Sequence, residues 1–323
     1  MLIRPAVALA FTIVICSATP ALAQRFPFEQ RFDARDAAML DVSTVRGQID
    51  VEVGPPGQVV VAGTVTVRIG WNVPTNAVEI ARRLAGTPPI ERAANTFRLR
   101  PPTDAADRRA VTVAYQVRVP PDTTVLAVSE SGETTVRGVS GPVTVRTQSA
   151  AIELTDLGGT AGVVTGSGTV TIDGVAGLLT VQTSSSAIRA TSLSGGVRVR
   201  TMSGSVDAAL TGTGDADVET QSSAIQVRGA RGGIHAATES GRVTIQGAPG
   251  APWDIATGSG AIDLDFAPSA RFTLNASTRS GSVRLEGVVP TSESKGHASA
   301  IAGAGGQTVG VTSRSGSIRV TAR

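Results

Sequence analysis

The chain of 323 residues is short of the side chains that carry most protein chemistry: it has one cysteine, two histidines, one tyrosine and two tryptophans, and Lys295 is its single lysine. Cys16 falls within the first 23 residues, so a chain that loses them has neither disulfides nor thiol chemistry. His235 and His297 lack a second histidine or cysteine at ligand spacing, which argues against a structural zinc site. Neither has an evident acid partner for a nucleophilic triad. Aromatics make up only 3% of the chain. That suits a narrow core of Val, Ile, Leu and Ala better than a broad ligand pocket. The net charge of +3, or +2 without Arg4, is too small for the clustered basic face that nucleic acid requires.

Long apolar runs are also missing. The longest, Ala6–Cys16, is well short of the ~20 residues that span a bilayer. Arg4 precedes it and Ala21-Leu22-Ala23 follows, so residues 1–23 read as a signal peptide with the mature terminus at Gln24. An exported protein of the periplasm or cell surface is expected, with no transmembrane segment in the mature chain. Lipidation of Cys16 is the lesser alternative, because Ile15 stands where a small residue is required.

What is abundant is repetition. The register Val-x-Val-x-Thr-x-Ser-Gly-x-Val-x-Val returns every 18 or 19 residues, with turn serines at 131, 149, 167, 185, 203, 222, 240 and 259, then at 280 and 315. A short self-similar period of this kind marks units that cannot bury their apolar faces alone and must stack. The sequence therefore predicts an all-β fold, a parallel β-solenoid (β-helix) of 18–19 residue coils over residues 123–323, interrupted at 286–309 by a Gly/Ser/Ala-rich loop or hairpin. Each coil is two strands and two turns.

Strand side chains alternate with period two. The positions six, four and two before each serine thus share the inner face: Val143, Val145 and Thr147, or Leu179, Val181 and Thr183. The recurring threonine predicts a buried row of hydroxyls bonded along the axis or to the corners. Glycines ten residues after the serine, such as Gly141, Gly159 and Gly177, mark the second corner. Outward, the coil spacing sets Arg198 and Arg200 beside Asp217 and Glu219, Arg189 beside Asp207, and Asp263 beside Arg284, as register-fixing pairs.

Residues 24–122 break the spacing and read as a smaller, mostly β capping region that covers the first ladder strand. It has one short helix near Asn76–Leu84, after a proline and a capping Thr75 or Asn76. Arg46 to Val51 reads as an early coil.

Four features carry a family resemblance: Val-Pro-Pro-Asp at 119–122, the repeated Ser-Gly-x-Val-x-Val, the Gly-rich interruption at 302–306, and the closing Ser-Gly-Ser-Ile-Arg-Val at 315–320. The chain resembles a family of exported bacterial β-strand-repeat proteins labelled "putative adhesins", a domain of unknown function. That resemblance implies a fold and no catalytic residues.

The remaining motifs point to structure. Gly166-Ser167-Gly168 and Gly258-Ser259-Gly260 fall short of the Gly-x-Ser-x-Gly hydrolase elbow. Asp263 and Asp265 lack the tandem glycine nonapeptide of calcium-binding β-helices. No catalytic, cofactor-binding or metal residue is assigned, and no cofactor is expected. The reading is a non-enzymatic adhesin, envelope scaffold or binding module that meets a cell-envelope or surface polymer or protein through one solenoid face. A β-helical polysaccharide-processing enzyme is the alternative, for which only Trp253 and Phe266 to Phe272 offer aromatic platforms.

Overall fold

A computed structural model describes residues 24–34 and 37–322. The expectations for the signal peptide and for Cys16 concern residues 1–23, outside the described residues. The fold is all-β, one large and mostly parallel sheet system with two helices, in which successive two-strand rungs stack on one another.

The period translates directly into register. On the front ladder, Val143–Ser149 pairs in parallel with Ala161–Val175, which pairs with Leu179–Leu193, with Ser149, Ser167 and Ser185 aligned. Val197–Thr201, Ala216–Thr220, Ile234–Thr238 and Trp253–Thr257 continue the stack. The back ladder repeats it after each serine turn, through Ile152–Leu157, Val206–Leu210, Ile225–Ala230, Val243–Gly247 and Ile262–Phe266. Ala161–Val175 and Leu179–Leu193 run unbroken through the turn and so belong to both ladders.

Inward positions are buried throughout, with Val145, Leu154, Val181, Val199 and Val218 within 1% of full burial. Each such side chain contributes roughly 1.5–3 kcal/mol. This is enough to set the strand facing, because a one-residue slip would turn the whole row to solvent.

The threonine row is buried from Thr147 to Thr278 and extends beyond the expectation to Thr44, Ser129 and Ser313. Its hydroxyls mostly bond the serine turns, and only Thr44 and Ser129 bond each other along the row, at 3.3 Å. Ser129 Oγ accepts from Gly132 N at 2.7 Å, and Thr201 Oγ1 accepts from Gly204 N at 3.1 Å. Thr257 donates to Gly241 O of the preceding rung at 3.2 Å, which stitches neighbouring rungs together. Of the two expected arrangements, bonding to the corners is therefore the rule and bonding along the axis the exception. A hydroxyl two residues before a tight turn reaches the turn's peptide groups more easily than a copy of itself one rung away.

Glycine has two separate duties. In the serine turns it admits the next backbone, for a Cβ on Gly204 would lie 1.8 Å from Ser186 O and one on Gly241 1.9 Å from Ser223 O. Positive φ recurs seven residues after the serine, at Gly138, Asp156, Gly174, Ser192 and Gly229, and occurs in a serine turn itself at Gly168. The glycines at plus ten hold ordinary φ and serve close approach, as Gly195 does against Gly177 O.

Both ends depart from simple sequential stacking. Met39–Thr44 lies between Thr96–Leu99 and Thr124–Ser129, and Ile49–Val53 lies between Val111–Val119 and Thr134–Arg137. At the other end, Gln307–Ser313 lies between Trp253–Thr257 and Phe272–Thr278, and Ile318–Ala322 between Ile262–Phe266 and Val283–Glu286. The rung nearest each terminus is therefore inserted one place inward. Antiparallel strands close the edges: Arg25–Asp33 and Gln58–Val67 at one end, His297–Ala302 and Pro290–Ser294 at the other. The interruption is this hairpin, and His297 opens one of its strands rather than lying in a loop.

Residues 24–122 share the core with 123–323, and the early coil at Ile49–Val53 joins the ladder as expected. The region holds two helices where one was expected. Ala77–Gly86 follows Asn76, whose side chain makes no capping bond, whereas the six-residue Ala105–Ala110 is capped by Asp104 through Ala106 N at 2.6 Å. The second helix is too short to show an apolar period, and only its cap signals it.

Candidate functional site: the outer front face

The outward side chains of the front ladder come from positions five and three before each serine. Over four rungs they form a continuous polar cluster of Arg198, Arg200, Asp217, Glu219, His235 and Asp254, on strands in direct register. Arg200 forks onto Asp217 with bonds of 2.8 and 2.9 Å, and its Nε lies 3.1 Å from Glu219. Arg198 adds a bond of 3.2 Å to Asp217. His235 sits between two acids, with Nε2 3.5 Å from Glu219 and Nδ1 3.5 Å from Asp254.

The Arg200 bonds hold the Asp217 carboxyl below the usual carboxylate range, against the smaller opposing effect of burial. Hydrogen bonding to Asp217 in turn holds the Arg200 guanidinium above its ordinary range.

One atom each from Asp217, Glu219 and His235 lies within 4.8 Å of the others, a spacing that could serve a metal ion. The bonding makes it an ion-pair cluster instead, since both oxygens of Asp217 are already taken by guanidinium groups. A cation would have to displace Arg200 to bind there.

Beside the cluster, along the serine-turn edge, the surface is concave over consecutive rungs. Val164, Gln182, Ser184 and Met202 line one depression, and Arg200, Glu219, Gln221 and Glu239 the next. A further depression of about 740 Å³ lies where Gly258 leaves a gap between Glu239 and Arg314. At ~4.8 Å per rung these separate depressions are spread over roughly 30 Å along the axis.

The expected charge pairs Arg198/Arg200 with Asp217/Glu219 are present. Arg189 and Asp207 meet at 3.9 Å, while Arg228 makes the tighter contact to Asp207, at 2.7 Å. The Asp263–Arg284 pair is not formed. The inserted terminal rung puts Arg319 between them, and Asp263 bonds Arg242 at 3.0 Å. The sequence showed no evident acid partner for His235, because Asp254 stands one period ahead and Glu219 lies on the diagonal of the strand behind.

Trp253, Phe266 and Phe272 are fully buried and offer no external platform. Their rings stack in the core at centroid distances of 5.3 and 4.2 Å, and Trp253 Nε1 donates to Gly232 O at 2.9 Å.

The stacked rungs, with hydroxyl-bonded serine turns, define a class of protein: an all-β, solenoid-like repeat stack. The sequence profile described as Toastrack DUF4097 matches residues 114–321, and the chain belongs to that family. No curated protein matches it significantly. Among solved structures, a "putative cell adhesion protein" from Clostridium sporogenes is 9% identical, with 92% of this chain and 100% of that one covered and a TM-score of 0.24. A "putative adhesin" from Bacteroides fragilis is 10% identical, with 92% and 97% covered and a TM-score of 0.30.

Proposed function

We propose that the protein is an exported, non-enzymatic β-solenoid module that binds a cell-envelope or surface polymer or protein along its outer front face. The observation that supports this most is the row of surface depressions beside the Arg198–Asp254 cluster, whose span along the axis suits an extended partner. The cluster chemistry supports it as well. A glycosidase needs one carboxyl protonated near neutral pH and a second carboxylate free to act, whereas Asp217 is held ionised by Arg200. Trp253, Phe266 and Phe272 are buried, so they give the end of the ladder no aromatic platform for a polysaccharide.

The reading is tested by passing the exported protein over immobilised acidic and neutral polysaccharides while assaying the eluate for new chain ends. Retention without products is expected, weakened at least several-fold by Glu219→Gln combined with Glu239→Gln. Turnover would establish the enzyme instead, and binding indifferent to the double change would move the partner to another face.

A further inference from the structure

We propose that the turn at residues 68–73 is an interfacial foot that rests on an anionic lipid surface. Ile69 is 70% exposed and Trp71 fully so, although indole and branched aliphatic side chains ordinarily lose by standing in water. The tip has a firm base. Val67 N donates to Gln24 O at 2.9 Å, Arg68 N to Ala110 O at 2.8 Å, and Val73, behind the tip, packs on the core. Ala77–Gly86 starts four residues beyond it.

Charge at this end has one dominant sign. Arg68 lies against Arg109, whose carbonyl accepts from Arg68 Nη1 at 3.4 Å. Arg25 pairs in register with Thr66, and Arg82 sits over the Phe26 ring at 5.9 Å. Among the described residues none of these four arginines is paired with a carboxylate, in contrast to the ion pairs of the front face. From Thr66 to Arg82 the sequence carries a single acid, Glu79. Exposed Trp and Ile ringed by unpaired arginines match a membrane interface, where indole sits at headgroup depth and each arginine meets anionic lipid.

Where the chain enters the fold selects the occupant. Gln24 is bonded to the base of the tip, and the apolar stretch Ala6–Cys16 lies shortly upstream of it in sequence. An upstream apolar stretch held in a membrane during export would bring this end of the fold against the lipid. The foot thus orients the rung axis relative to the lipid surface, which is separate from what the front face binds.

The two tryptophans supply the readout, since Trp253 is buried in any folded state and Trp71 is not. Full-length protein is mixed with phosphatidylglycerol or phosphatidylcholine vesicles, with and without brominated acyl chains, and tryptophan emission is followed. The expected result is a blue shift and quenching on the anionic vesicles. Both should vanish in Trp71→Ser, and the affinity should fall about fivefold for each of Arg68→Ser and Arg109→Ser. Unchanged Trp71 emission on anionic vesicles overturns the proposal even if the protein sediments with them, because attachment would then lie elsewhere. Emission that shifts with protein concentration in the absence of lipid also overturns it and assigns the tip to a second copy of the chain.

Discussion

At the scale of single residues, the fold depends on a few atoms at each serine turn. Gly204→Ala drives a Cβ into Ser186 O and should cost about 1–3 kcal/mol by overpacking. Gly86→Ala, at the end of its helix with nothing within 4 Å, should be neutral or stabilising by up to ~1 kcal/mol. Urea midpoints at constant m compare the two directly. The buried hydroxyls divide in the same way. Thr201→Val strands the Gly204 N–H and should lose about 1–3 kcal/mol. The buried Thr220 hydroxyl has no partner among the described residues, so Thr220→Val removes only a desolvated polar group and should leave the midpoint level or raise it. Equal losses at the two positions would mean that burial of the row, and not its bonding to the turns, is what matters. The sequence showed which threonines face inward, because the facing follows from period two. It did not show which hydroxyls are bonded, because that depends on turn geometry finer than the repeat.

At the scale of strands and their pairing, the outer front face contributes a pH dependence of defined sign. The Asp217 carboxyl has its folded pKa depressed by Arg200. Its contribution to stability is therefore complete above the unfolded carboxylate value near 4 and is lost as the pH falls through the lower folded value. Arg200→Met removes the cause, so the acid-unfolding midpoint should move to higher pH. Arg146→Met, at the matching outward position three rungs away and without an ion pair among the described residues, should leave it in place. Circular dichroism during acid titration reads both. The cluster was half legible in the sequence. Arg198, Arg200, Asp217 and Glu219 follow from an 18–19 residue offset between neighbouring strands. The site of His235 needed that offset applied forwards to reach Asp254, and backwards with a two-residue diagonal step to reach Glu219, and a lone histidine gives no local cue to do so. The Asp263–Arg284 pair failed because the same arithmetic assumes that rungs stack in chain order, which the inserted terminal rung violates.

At the scale of the whole molecule, that insertion changes how the stack is closed. A stack built in chain order would leave its last rung paired on one side only, and such a rung frays first, since its stability rests on one neighbour interface. Here Gln307–Ser313 and Ile318–Ala322 are paired on both sides, while the outer rung of Phe272–Thr278 and Val283–Glu286 has its front strand covered by the antiparallel His297–Ala302. The repeat motif alone could not reveal this, because Ser280 and Ser315 carry the same local signature and only the hairpin between them lets the chain return underneath. Two outcomes follow from the pairing. In native-state hydrogen exchange, amides of Val309, Val311, Ile318 and Val320, all fully buried, should exchange as slowly as those of Val199 and Val218 in the middle of the stack, and more slowly than those of Val283 and Leu285 in the rung beyond them. Truncation after residue 306 should also do more than shorten the stack, for it removes the layer to which the rungs of Trp253 and Phe272 are both bonded and leaves two apolar edges facing a gap. Loss of cooperative unfolding and aggregation of the truncated chain are expected, whereas removal of an ordinary last rung would lower the midpoint by one interface and leave the remainder folded. Fast exchange at Val309 to Val311 together with a well-folded truncation would show the C-terminal rung to be a dispensable edge, and sequential stacking would then be the correct topology.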